Sequence, residues 1–175
     1  MSSNQQPFYF GLSVKHPIDI ALLLKEMEKE TDSIIQVVDP KFIASKEHLR
    51  LILAQSKESY SRGIVAANKK SMDILLRLLC TKKIEKALHD AGFKPNSKEC
   101  VILGLCNKDT LPIIEKKIRN YGDLDDRVLE ASKERVNFLM TYHGISKNEV
   151  ENYGLLNMLL EKSATCLIKH FRNES

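Results

Sequence analysis

The residues of this chain that could do chemistry are few and scattered. Its four cysteines are Cys80, Cys100, Cys106 and Cys166, and no two form a C-x-x-C pair. Each sits among apolar neighbours, which favours reduced thiols packed as small hydrophobes over disulfides or a zinc site. That usage points to the cytosol. Cys80 and Cys106 are the candidates for a nucleophile, a role that requires a depressed thiol pKa. The five histidines, His16, His48, His89, His143 and His170, show no H-E-x-x-H or H-x-H spacing. Surface or capping roles suit them better than metal ligation. Asp123, Asp125 and Asp126 could suggest a metal site, but the last two stand where a helix should begin. Capping and pairing with the helix dipole account for them. Gly104-Leu105-Cys106-Asn107-Lys108 is expected to turn from a strand into a helix, where backbone amides could hold a phosphate. With one glycine and no G-K-[ST] it falls short of a P-loop, and a connecting turn is the simpler reading. No nucleophile–base pair, paired carboxylates or ligand cluster emerges. A non-catalytic protein without metal, cofactor or small-molecule substrate is expected.

Charge is more informative than chemistry. The 175 residues carry a net charge of +4. Residues 41–94 hold twelve Lys and Arg against five Asp and Glu, a local balance of +7, and the rest of the chain is at −3. A basic middle on an otherwise near-neutral protein suggests a surface for a polyanion; the alternative is a solvated lysine-rich face. No apolar run reaches the roughly 18–20 residues of a membrane span, and the polar start, Met1 to Pro7, lacks a signal core.

The elements that must position these residues follow from periodicity. Phe8 to Val14 alternates as a strand. His16-Pro17 opens a helix to about Glu30, and Ser33 to Val38 is a second strand closed by Asp39-Pro40. A helix from Ser45 puts Leu49, Ile52, Leu53 and Tyr60 on its apolar face, with Lys46, Arg50 and Lys57 on its shoulder. After Arg62-Gly63 and Asn68-Lys69-Lys70-Ser71, Met72 to Leu79 is apolar almost all round, as a central buried helix would be. Thr81 is expected to cap the next helix, with Ile84, Ala87, Leu88 and Ala91 as its buried stripe and Gly92 its stop. Cys100 to Cys106 is an interior strand. A helix with Pro112 in its first turn ends at Gly122, and another runs from Asp125 or Asp126 to His143. Ser146 to Glu149 has capping-box spacing, and Leu155 to Phe171 is the last helix. The expected architecture is α+β, a helix-dominated single domain over residues 1–175 around a small mixed sheet.

From Ser45 onward the chain resembles the smallest core subunit of the KEOPS tRNA-modifying assembly, the PRPK-binding protein family, especially its archaeal members. Ser45-Lys46-Glu47-His48-Leu49 is similar to the family's helix start, and Asn68 with Met72-Asp73-Ile74-Leu75 to its Asn followed by hydrophobic-Glu-Ile-Leu. Thr81-Lys82-Lys83-Ile84-Glu85-Lys86-Ala87-Leu88 resembles T-R-Q-I-x-x-A-(I/L), and Asp125-Asp126-Arg127-Val128-Leu129 an archaeal D-D-x-V-L. Cys80 stands where the family usually has Gly, and Lys82-Lys83 replace Arg-Gln. The resemblance implies a cytoplasmic, non-catalytic protein that binds the assembly's kinase-like ATPase subunit and docks tRNA, its single-stranded 3′ CCA end included. A threonylcarbamoyl group is then placed on the adenosine beside the anticodon, with ATP and metal held by other subunits.

Candidate tRNA-binding residues are Arg50, Lys57, Arg62, Asn68, Lys69, Lys70, Lys82 and Lys83. Candidate partner-binding residues are Ile145, Leu155, Leu156, Leu159 and Leu160. They join the last helix, whose apolar positions cover roughly 220°, about twice an ordinary stripe. The competing reading is a regulatory adaptor that binds a small kinase without contacting RNA.

Overall fold

The computed structural model describes residues 5–15, 19–64, 67–94 and 96–171. Among them a four-stranded sheet forms from β1 (Gln5–Val14), β2 (Ile34–Val38), β3 (Glu99–Asn107) and β4 (Gly122–Leu124), in the order β2-β3-β1-β4. Every pairing is antiparallel, so the sheet is not the mixed one expected. The α+β class stands. Eight α-helices accompany it: α1 (Ile20–Thr31), α2 (Lys46–Ser61), α3 (Lys70–Leu78), α4 (Ile84–Ala91), α5 (Leu111–Ile118), α6 (Lys133–His143), α7 (Lys147–Tyr153) and α8 (Leu155–Phe171).

Period-two alternation divides the core between the two faces of the sheet. Phe8, Leu12, Ile35, Val37, Cys100, Ile102 and Cys106 meet Leu23 and Met27 of α1 and Ile114 and Ile118 of α5. Val38, Val101, Leu103 and Leu105 meet α2, α3 and α4 through Leu49, Ile52, Leu53, Ile74, Leu75, Leu78, Ala87 and Ala91. The chain from α6 to α8 packs beside this second layer, with its own small cluster of Leu139, Ile145 and Leu159. α3 is the buried helix that its sequence suggests: every residue from Asp73 to Leu79 is buried. Its two charges satisfy one another, Arg77 Nε donating to Asp73 Oδ2 at 2.8 Å while Nη2 reaches Ser59 Oγ at 2.6 Å.

Several expected boundaries move, each for a local reason. α1 is capped by Asp19, whose carboxylate accepts the Leu22 N–H; His16-Pro17 lies outside the described residues. The helix expected from Asp125 or Asp126 to His143 is broken in two. Asp125 caps a 3₁₀ turn, Asp126–Leu129, and Ser132 then caps α6 afresh. Gly122 opens β4 rather than ending α5, and Gly104 lies inside β3, not in a turn. A Cβ on Gly104 would stand 1.8 Å from the Ile34 carbonyl, so close strand packing explains that glycine. Thr81 does not cap α4; Lys83 holds the cap position and its N–H donates to Thr81 Oγ1. α4 rests on the core through Ala87 and Ala91 alone, leaving Ile84 and Leu88 41% and 47% exposed.

Candidate functional site

The eight candidate RNA-binding residues differ in how they are engaged. Arg50 pairs with Glu47 at 2.6 Å and Arg62 with Glu58 at 2.6 Å, each on α2 or at its end. Lys57 donates to the Gln5 carbonyl of β1 at 2.5 Å. Lys69 reaches across to Glu28 of α1 at 3.1 Å. Lys70, half-buried at the start of α3, holds its ammonium 5.9 Å from the Tyr60 ring centroid, and Asn68 is exposed just before it. Lys82 and Lys83 differ from the rest. Both are exposed in the α3–α4 turn, and neither forms an ion pair among the described residues.

That turn is built tightly. Cys80 has φ of 49°, in the left-handed region that favours glycine, and the N–H groups of Cys80 and Thr81 return to the carbonyls of Arg77 and Leu76. Lys82 and Lys83 project just beyond it, next to exposed Ile84 and, one helical turn on, exposed Leu88. α4 is clamped to α6: Lys86 pairs with Asp90 and donates to the Tyr142 hydroxyl at 2.9 Å, and that hydroxyl donates to Asp90 at 2.6 Å. These bonds hold the Asp90 carboxyl well below its ordinary range. A cleft of about 320 Å³ opens beside the clamp, walled by Cys80, Thr81, Lys86, Tyr142, His143 and Lys162.

Three of the thiols are held in their protonated form. Burial pushes Cys80 and Cys100 up to about 12 and raises Cys106 as well, the opposite of what nucleophilic catalysis needs. The acidic trio is tied into the fold, with Asp123 on Lys15, Asp126 on Lys46 and Asp125 on Arg127. Among the described residues no three His, Cys, Asp or Glu side chains are placed to share a metal ion.

The candidate partner surface divides by burial. Leu159 is 1% exposed and Ile145 5%, so both are already core residues of the chain. Leu155 packs on the cluster around them, and Leu160 packs on the main core. Leu156 is half-buried and belongs to none of the clusters. Just before α8, Tyr153 is 63% exposed. Neither this exposure nor that of Ile84 and Leu88 is visible in the sequence, because a single aromatic or a short apolar stripe does not announce which side faces solvent.

The architecture is a helix-rich α+β fold, with exposed lysines in the turn before α4 and an exposed tyrosine just before α8. Residues 13–165 match the family model of the kinase binding protein CGI-121, and the chain belongs to that family. The match starts within β1, further toward the N-terminus than the resemblance from Ser45. A search of curated proteins returned no match. No helix among the described residues is long and apolar enough to cross a membrane.

Proposed function

We propose that the chain is the non-catalytic subunit of the KEOPS tRNA threonylcarbamoyladenosine-modifying complex that binds its kinase-like ATPase subunit and docks tRNA, including the 3′ CCA end. Membership of a kinase-binding family supports the protein partner. The start of α4 carries the RNA reading. Lys82 and Lys83, free of carboxylates among the described residues, adjoin the exposed side chains of Ile84 and Leu88. A single strand is held by cations along its phosphates and by stacking or apolar contact with its splayed bases, and this turn offers cations and an apolar surface side by side. Arg50, Arg62 and Lys69 already hold carboxylates, so they add to a positive field more than to direct contact.

The test is tRNA binding by the full chain at several salt concentrations, with intact tRNA and tRNA trimmed at its 3′ end. Lys82→Glu with Lys83→Glu should weaken binding and flatten its salt dependence, by about 0.7–0.9 in the log–log slope for each phosphate no longer neutralised. Ile84→Ser with Leu88→Ser should remove the preference for the intact end. If the unaltered chain ignores tRNA while still capturing the kinase-like subunit, the adaptor reading replaces this one. The ion pairing of Arg50, Arg62 and Lys69 is the observation that favours that alternative.

A further inference from the structure

A groove of about 620 Å³ lies away from the α4 turn, between the 3₁₀ turn Pro40–Phe42, the segment leading into β3, and the first turns of α6. Its lining includes a cation with no carboxylate partner among the described residues. Arg135 is half-buried, and its side chain makes one hydrogen bond among the described residues, Nη1 to the Val128 carbonyl at 2.9 Å. No carboxylate stands within ion-pair distance of its guanidinium there. Burial lowers its pKa, with Glu99, Asp39 and Glu130 only partly opposing that. The rest of the guanidinium keeps contact with solvent and has no protein partner among the described residues, so its fork is available to an oxyanion.

We propose that this groove binds a carboxylate carried on an apolar stem, with the Arg135 fork as its principal donor. The surroundings specify each part. Lys98, exposed at the groove's edge and in no ion pair among the described residues, adds a second cation. Arg135 lies in the first turn of α6, an eleven-residue helix whose N-terminal dipole also favours an anion. Phe138, one turn further on, and Pro40 form an apolar wall for the stem. Lys41 is not spare: it pairs with Asp39 at 3.4 Å and lies 5.6 Å from the Phe138 ring centroid. Asp39, Glu99 and Glu134 line the same groove and balance Lys41, Lys98 and Arg135, so it lacks the net positive field that an RNA-phosphate surface needs. One carboxylate, by contrast, brings a single charge that the planar fork can bind in bidentate fashion. It could belong to a free aromatic acid or to an acidic side chain of a protein segment.

The full-length chain would be titrated by NMR, observing the Arg135 Nε–Hε signal and the amides of residues 134–138. The probes are phenylacetate, N-acetylated and C-amidated Phe-Glu, its Phe-Gln counterpart, and inorganic phosphate. Phenylacetate and Phe-Glu should both shift these signals saturably, and Phe-Gln should not. Tighter binding of Phe-Glu assigns the site to a protein segment; tighter binding of phenylacetate assigns it to a small acid. Arg135→Lys should weaken binding about tenfold, as expected when a charged hydrogen-bonding fork is removed. Because Arg135 also anchors the Val128 carbonyl, exposed Lys98→Glu provides a second test and should weaken binding without disturbing the fold. The proposal is overturned if the carboxylates produce no saturable shift, if Phe-Gln or phosphate binds as well as Phe-Glu, or if both variants fold and bind unchanged.

Discussion

Single residues record where the fold accepts a cost. Cys80 occupies a left-handed conformation, at about 1–2 kcal/mol for a non-glycine side chain. Its thiol packs toward the carbonyls of Arg77 and Leu159 at 3.6 and 3.7 Å, so α3 and α8 share the turn. A Gly at this position would need no such compensation. That position was legible in the sequence as a departure from a pattern, but its backbone angle was not. His48 is a costlier case. It is 1% exposed and accepts the Ala44 N–H at Nδ1, and burial, with His143 nearby, pushes its pKa down to about 4. His143 is likewise lowered to about 4 by burial and by Lys162 and Lys86. The folded values lie below the ordinary 6.5, so the fold prefers the neutral rings. Their stabilisation is complete above about pH 6.5, is lost as pH falls toward 4, and then levels off. At about 1.4 kcal/mol for each tenfold change in proton affinity, His48 alone represents about 3 kcal/mol. Urea unfolding at pH 7.5, 6, 5 and 4 should show this decline, and His48→Asn, which keeps an acceptor near Nδ1, should flatten it. An unchanged slope in that variant would mean that other groups carry the acid sensitivity.

At the scale of elements, the sequence indicated which helices exist better than which way they face. Helix starts at Ser45 and Ser146, the buried run of α3 and the start of α8 at Leu155 were all legible, because capping chemistry and all-round hydrophobicity are local signals. The exposure of Ile84 and Leu88 was not, since it depends on Ala87 and Ala91 setting how α4 lies on its neighbours. The wide apolar arc of α8 is partly explained by the company it keeps: α2, α3 and α7 all pack against it. Ser163 Oγ adds a hydrogen bond to Gln55 of α2 at 3.1 Å. The side chains of Leu167, Ile168 and Phe171, which widen that arc, lie outside the described ones. Burial now separates core positions from candidate interface positions among the leucines. Leu159→Glu and Ile145→Glu should unfold the chain, because each buries an unpaired carboxylate, at several kcal/mol, and empties part of the Leu139 cluster. Leu156→Glu should stay folded by circular dichroism and fail to capture the kinase-like subunit in a pull-down. If it folds and still captures the partner, the interface is not on this side of α8.

At the scale of the whole molecule, the sheet order leaves one edge to be managed. β4 covers β1 only from Leu12 to Val14, so the outer edge of β1 from Gln5 to Phe10 has no strand beside it among the described residues. The direction of its groups follows from two bonds. The Val14 N–H donates to Lys98, just before β3, whereas the Gly11 carbonyl accepts from Asp125, just after β4. Strand groups alternate, so Gln5, Pro7 and Tyr9 share Gly11's outward side. Pro7 has no N–H to offer there, and the Gln5 carbonyl is occupied by the Lys57 ammonium at 2.5 Å. A proline and a lysine on an open edge are what keeps a strand from pairing with another copy. This assigns Lys57 a role in protecting the sheet, separate from its candidate contact with RNA. Pro7→Thr with Lys57→Met should restore an N–H and free a carbonyl on a strand rich in aromatic residues. The double variant should self-associate with rising concentration in sedimentation or light scattering, while either single variant stays close to the parent chain. Lys57→Arg, which keeps a donor near Gln5, should behave like the parent. If the double variant sediments as the parent does at every concentration, Pro7 and Lys57 are not what guards the edge.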